Sequence, residues 1–202
     1  VNTIIGLTQF VMKEDNSDET QKNLACVARA GQNMSGIIES ILDYSEIEMK
    51  RLVVNAENYM ISSLINDIVA EMAPRMRKQL EFVIGVDPDV PAVMNTDVGK
   101  LKKILKHLID NAFKYTVTGG IYIHITAQPR DYGINLGIEV TDTGIGMNPS
   151  ELEEACEHFY QSDSGRTRNT GGLGLGMSIV SGFVRSLNGF FVIESEQGKG
   201  TT

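Results

Sequence analysis

Through the first fifty positions apolar residues recur at steps of three and four. Alternating strand-like runs appear only afterwards, so helices come first and a sheet follows. Ile4, Ile5, Leu7, Phe10 and Val11 predict a helix over residues 1–13, and the polar stretch 13–18 predicts a turn. Leu24, Val27, Met34, Ile37, Ile38, Ile41, Leu42 and Ser45 predict a second helix, which Ser17 or Asp18 could cap. Two amphipathic helices joined by so short a loop form an antiparallel hairpin. With one apolar stripe per helix it cannot bury itself, so a second copy of the chain is the expected cover, giving a four-helix bundle.

The pattern changes after Met49. Leu52-Val53-Val54 predicts a strand, residues 61–79 a helix with Leu64, Ile65, Ile68, Val69 and Met72 inward, and residues 80–86 a second strand. Asp97 opens a strong helix (Leu101, Ile104, Leu105, Leu108, Ile109, Ala112) that runs to Tyr115. Ile121 to Ile125 alternates like a half-buried strand and pairs with residues 134–140 across a turn at 130–133. Asn148-Pro149 begins a short helix. Residues 162–171 are polar and glycine-punctuated and predict a mobile loop. Gly172 opens a helix ending at Asn188-Gly189, and residues 190–195 predict a last strand. Strands interspersed with helices, some strands adjacent, point to an α+β fold with helices on one face of a mixed sheet.

Composition narrows this picture. With 202 residues, 42% apolar and 22% charged, the chain can fold as a soluble domain with a small extra element. A net charge of −8 argues against a nucleic-acid partner. Two cysteines 130 positions apart, Cys26 and Cys156, fit neither a metal cluster nor a disulfide framework, and point to a reducing cytosol. No apolar run is long enough for a membrane span, and residues 1–10 lack the charged start of a signal peptide. The chain starts mid-pattern without Met and stops at Gly200-Thr201-Thr202, where a strand could begin. An excised fragment with a truncated last strand is the expectation.

Three stretches carry the candidate chemistry. On the helix from Asp97, positions 107, 111 and 114 share one face, bringing an imidazole, an amide and an ammonium together. An Asn oxygen can complete a magnesium shell of water and phosphate, and Lys114 can neutralise phosphate. Asp142 ends an apolar strand just before Gly144 and Gly146. Its carboxylate can accept from an amino group such as that of adenine, while the glycines let a ring approach the backbone. Gly172, Gly174 and Gly176 lead into an apolar helix, where free amides favour phosphate. The run lacks the GK[ST] of a P-loop, and Met177 breaks the dinucleotide pattern G-x-G-x-x-G. Each stretch alone also fits plain structure: a solvated helix face, an Asx turn, a hinge loop.

Together and in this order, the stretches 107–116, 142–146 and 171–176 resemble the N, G1 and G2 boxes of sensor histidine kinases, within the gyrase–Hsp90–histidine kinase–MutL superfamily. Residues 159–163 (FYQSD) resemble the F box and 198–201 (GKGT) the terminal glycine–threonine element. Residues 1–7 resemble the sequence that follows the phosphoacceptor histidine. The resemblance implies a two-layer α/β sandwich of the Bergerat ATP-binding type over residues 49–202. A partial dimerisation and phosphoacceptor hairpin over 1–48 would precede it. It implies ATP and Mg2+ as cofactors, with Asn111 as magnesium ligand, Lys114 as phosphate contact and Asp142 as adenine partner. Gly144 and Gly146 would shape the pocket, and Gly172, Leu173, Gly174, Leu175 and Gly176 would form the lid over the phosphates. Thr201 would sit near the base, with Tyr115 and Phe159 at the pocket wall or simply packed. His107 stands where ATP-hydrolysing relatives carry glutamate, which suits transfer better than hydrolysis.

No histidine precedes His107, so the resemblance puts the phosphoacceptor upstream of Val1. His124 sits in a strand pattern and His158 beside the F box, and neither is a credible substitute. Arg166 and Arg168 in the lid could reach phosphates. The implied activity is transfer of the γ-phosphoryl of Mg-ATP to a histidine, then to a response-regulator receiver domain. The implied partner in the full protein is a second copy, with no nucleic acid and no membrane contact from this fragment. The fragment would be cytoplasmic, and family habit anchors the parent in a membrane. Two rivals stay open: an ATPase of the same superfamily, and a non-catalytic nucleotide-sensing scaffold.

Overall fold

The computed structural model describes residues 1–14, 17–76, 79–131, 133–160 and 175–202, with 156–160 described in their backbone only. The chain divides into two compact units, the first holding Val1–Arg51 and the second beginning at Leu52.

The first unit is a helical hairpin of α1 (Asn2–Val11) and α2 (Asp18–Glu48). Ser17 caps α2, its hydroxyl accepting the Thr20 amide at 3.3 Å, with Asp18 and Glu19 in the positive first turn. Gln21 Nε2 donates to the Met12 carbonyl at 3.0 Å and ties the turn down. The helices approach closely at Gly31, where a Cβ would stand 2.8 Å from Cγ1 of Ile5. α2 ends in a Schellman motif with Lys50 left-handed at φ 52°: the Arg51 amide bonds Glu46 O and the Lys50 amide Ile47 O. Leu7, Phe10, Met34, Ile37, Ile41 and Leu42 remain exposed along the hairpin.

The second unit is α+β, as expected. Five strands run in the order β2 (Leu80–Val86), β4 (Gly119–Arg130), β5 (Gly133–Asp142), β7 (Gly200–Thr201) and β6 (Ser195–Glu196). Only β2 and β4 are parallel, so the sheet is mixed. A separate antiparallel pair joins β1 (Glu57–Met60) to β3 (Val93–Thr96). Alternation along β4 sends Ile121, Ile123 and Ile125 into the core and leaves Tyr122 and His124 on the open face. Helices cover the inner face. α3 (Ile61–Met72) contributes Leu64, Ile68 and Met72, and α4 (Val98–Tyr115) contributes Leu101, Leu105, Ile109, Ala112 and Phe113. The Phe82 and Phe113 rings meet at 5.7 Å between centroids. α5 (Pro149–Tyr160) and α6 (Leu175–Ser186) complete the unit.

Four expectations need correction. Residues 52–54 form no strand, because Val53 O accepts from the Lys100 ammonium and the Asn55 amide donates to the Asp97 carboxylate. Those backbone groups are spent on side chains, and the Val53 side chain is exposed. The helix expected over 61–79 stops at Met72 and tightens to a 3-10 turn over Ala73–Arg75, since Pro74 lacks the N–H to continue. β3 was not anticipated, its four residues lying between Pro91 and the Asp97 cap. The last strand is not 190–195. Regular pairing starts at Ser195, where Gly200–Thr201 turns back against it, extended by reciprocal Glu194–Thr202 bonds of 2.9 and 2.8 Å.

Candidate functional site

α4 positions most of the candidates. Asp97 caps it, its Oδ1 accepting the Lys100 amide at 2.9 Å, while Leu101, Ile104, Leu105 and Ile109 bury one face. The face at 107, 111 and 114 is thereby turned from the core: His107 and Asn111 are half-buried and Lys114 is exposed.

Two clusters lie along this helix. In the first, the start of α6 seats on α4. Asn111 Nδ2 donates to Met177 Sδ at 3.4 Å, and a Cβ on Gly176 would stand 3.6 Å from His107 Nδ1. One turn on, the Lys103 ammonium lies 5.6 Å from the Phe183 ring centroid. Among the described residues Asn111 Oδ1 accepts no hydrogen bond.

The second cluster closes around Asp142, which is buried at the end of β5. Its Oδ1 accepts the Gly144 amide at 2.8 Å and the Thr116 hydroxyl at 3.3 Å, and its carboxylate also takes the Thr201 amide. A carboxylate offers about four acceptor positions, so these three donors leave about one for an outside N–H. Burial raises the Asp142 carboxyl above its ordinary range, and those three hydrogen bonds pull partly back. The turn has no room for side chains. A Cβ at Gly144 would meet the Tyr115 carbonyl at 2.5 Å, and Gly146 at φ 60° runs against the Glu196 carbonyl. Ile145 is bonded from both sides, its amide to Tyr115 O at 3.3 Å and its carbonyl from the Gly198 amide at 2.7 Å. Beyond it Ser195 Oγ accepts the Met147 amide at 2.9 Å and meets Thr201 Oγ1 at 2.8 Å.

His107, Asn111 and Gly176 therefore meet in one cluster, and Tyr115, Asp142, Gly144, Gly146 and Thr201 in the other. Lys114 lies between them with its ammonium 4.9 Å from the Tyr115 ring centroid. Leu175 is the first residue of α6. Gly172, Leu173, Gly174, Arg166 and Arg168 lie outside the described residues. Phe159 falls in α5, and of its side chain nothing is described. The sequence reading missed Thr116, Met177 and Ser195. Thr116 is the last residue of the stretch 107–116 and could have been singled out there; nothing local marks the other two.

The donor set suits magnesium and a nucleotide: an amide oxygen without a partner among the described residues, a cation nearby, and a buried carboxylate with spare acceptor capacity. The mixed sheet backed by helices, with the glycine turn bonded to the end of α4, is the frame that carries both clusters. Residues 96–202 match the histidine kinase-, DNA gyrase B-, and HSP90-like ATPases, and the chain belongs to that family.

Its likeness within that family is to sensor histidine kinases. Over 202 residues, all of this chain, it is 30% identical to the autoinducer 2 sensor kinase/phosphatase LuxQ of Vibrio cholerae; that stretch is 24% of LuxQ. It is 31% identical over 199 residues, 98% of this chain, to the sensor histidine kinase RcsC of Escherichia coli, of which that stretch is 20%. The chain thus spans about a quarter or less of these relatives. Among solved structures, full-length ShkA in complex with AMPPNP aligns with a TM-score of 0.73 at 24% identity, covering 99% of this chain and 41% of ShkA. Among the described residues no helix is long and apolar enough to cross a membrane.

Proposed function

We propose that this chain is the catalytic core of a sensor histidine kinase: a partial dimerisation hairpin over 1–48 and an ATP-binding domain over 49–202. It binds Mg-ATP and delivers the γ-phosphoryl to a histidine outside this sequence, for relay to a receiver-domain aspartate of a response regulator. One observation carries the reading. The likeness to sensor kinases covers hairpin and ATP-binding unit alike, at 100% of the chain.

Magnesium, when bound, would neutralise charge on the phosphates. Asn111 Oδ1 would ligate it, and Lys114 would leave the Tyr115 ring to meet phosphate. The remaining acceptor position of Asp142 would take the adenine amino group, with the turn at Gly144 and Gly146 against the ring, Thr201 beside it and Tyr115 at the wall. Phe159 and the glycines and leucines from 172 to 176 would close over the nucleotide. His107 supports transfer over hydrolysis, since an imidazole stands where a hydrolase would hold a carboxylate to activate water. Catalysis then rests on positioning and charge neutralisation, with the acceptor imidazole attacking phosphorus as the bond to the departing ADP oxygen breaks. The three histidines lie at 107, 124 and 158, none in the hairpin, so this chain does not label itself. The exposed apolar stripe of the hairpin supports a homodimer. For the parent protein we propose a membrane anchor outside this sequence and an active core on the cytoplasmic side.

A version extended upstream through the preceding helical residues, mixed with γ-labelled Mg-ATP, should acquire acid-labile, base-stable phosphate. Nucleotide binding without any label would overturn the kinase reading and leave a nucleotide-sensing scaffold. Steady phosphate release in its place would mark an ATPase.

A further inference from the structure

Only one end of the Asn111 side chain can serve a cation. The oxygen ligates, whereas the NH2 group presents two hydrogens and repels. Rotation by half a turn exchanges them at almost no steric cost, so a neighbouring group must decide which end faces outward. That neighbour is Met177, in the first turn of α6, whose sulfur lies 3.4 Å from Nδ2. A thioether accepts weakly and has nothing to donate. The flipped amide would set oxygen lone pairs against sulfur lone pairs, so the contact favours NH2 toward Met177. Among the described residues Oδ1 is then left without a partner. The contact is local to the α4–α6 seat, where Gly176 gives the helix start room beside His107.

We propose that Met177 is a positioning residue for Asn111: its sulfur holds the amide so that Oδ1 is presented as the ligand for magnesium. This rests on the Mg-ATP reading above and deepens it. Leucine at 177 would fill the same space but could not tell the two ends of the amide apart. Glutamine, close to methionine in shape, carries an NH2 donor beside its carbonyl and could pair with either end as well. Releasing a restrained polar side chain weakens a ligand by about three- to tenfold.

Two measurements on the 202-residue chain test this. In the nucleotide-free protein, the side-chain NH2 signals of Asn111, assigned by their loss in Asn111→Ala, should exchange slowly with water. They should exchange faster in Met177→Leu. In titrations with AMPPNP, affinity in EDTA should be equal for wild type and Met177→Leu, while the gain on adding Mg2+ falls about three- to tenfold in the variant. An equal magnesium gain in Met177→Leu overturns the proposal. So does an Asn111 amide that exchanges in wild type like an exposed one, a result that stands even if the variants fail to fold. If wild type binds no AMPPNP in either buffer, the Mg-ATP reading fails, and the amide signals still decide the role of Met177.

Discussion

Asp142 shows how one buried carboxylate can shape and serve a pocket together. It is held by Thr116 from the end of α4, by Gly144 from its own turn and by Thr201 from β7. Its carboxyl is nevertheless raised, burial being the largest cause, so the folded protein holds that proton more tightly than the unfolded chain does. The stability this group contributes is complete below the ordinary carboxylate pKa and is lost as pH rises through the raised one. At neutral pH its ionised form therefore serves binding at some expense to the fold. Asp142→Asn should lower AMPPNP affinity about 10- to 100-fold, the size of a lost hydrogen bond to a charged group. Its melting temperature at pH 7 should be equal or higher, and calorimetric titration with thermal melts reads both. Nucleotide affinity of the wild type should also begin to fall, on acidification, above the pH at which an ordinary aspartate protonates. Affinity flat down to pH 4 would remove Asp142 from base recognition.

At the scale of elements, α4 is anchored at its N-terminus by a clip that the sequence only half announced. Asp97 is the expected cap, but it also holds the Asn55 amide at 3.0 Å and the Lys100 ammonium at 2.5 Å, and Lys100 reaches Val53 O at 2.7 Å. Both side chains of this pair are nearly buried. Burial works to raise the Asp97 carboxyl. The hydrogen bonds from Lys100 and Asn55, with the charge of Lys100, outweigh it and hold the carboxyl below its usual range. A depressed carboxyl contributes stability that is present above the ordinary value and lost as pH falls through the depressed one. Asp97→Ala should cost about 2–4 kcal/mol at pH 7, combining a lost cap with a stranded, partly buried ammonium. Urea unfolding at pH 7 and pH 3 checks this, since the gap between variant and wild type should narrow on acidification. The ion pairs on the α3–α4 flank, Asp67–Lys102, Glu71–Lys106 and Arg75–Asp110, are exposed and contribute much less each. α6 shows the same local logic at its other end. It was expected to stop at Asn188-Gly189, and it does so with Asn188 in the left-handed position at φ 57°.

For the whole molecule, the two units pose opposite problems. The sheet-bearing unit has a buried apolar core, with Leu105, Ile109, Ile121 and Ile179 wholly inaccessible. The hairpin instead leaves Leu7 62% and Phe10 65% exposed. A stripe that continuous marks a surface to be covered, and the proposed cover is the same hairpin of a second chain. Sedimentation equilibrium should return a mass above the 22.2 kDa of one chain at micromolar concentration. Phe10→Glu should restore the single-chain mass while leaving AMPPNP binding unchanged. A wild type that stays monomeric at hundreds of micromolar would dismiss the bundle for this stretch of chain.

Sequence by itself determined those features whose physics is local: the hairpin helices from their 3.6-residue period, the Ser17 and Asp97 caps, the alternation of β4, and the glycines around Asp142 that tolerate no Cβ. It also held the order of motifs from which the ATPase family was read. Contacts between distant residues could not be read there. Periodicity cannot show that Val53 and Asn55 spend their backbone groups on Lys100 and Asp97, which is why the expected strand at 52–54 is absent. Nor can it show that Thr116, Thr201 and Gly144 converge on one carboxylate, or that a sulfur 66 positions away orients the amide of Asn111. Those outcomes depend on which side chains the sheet and the α4–α6 packing bring within bonding distance, and only the tertiary structure decides that.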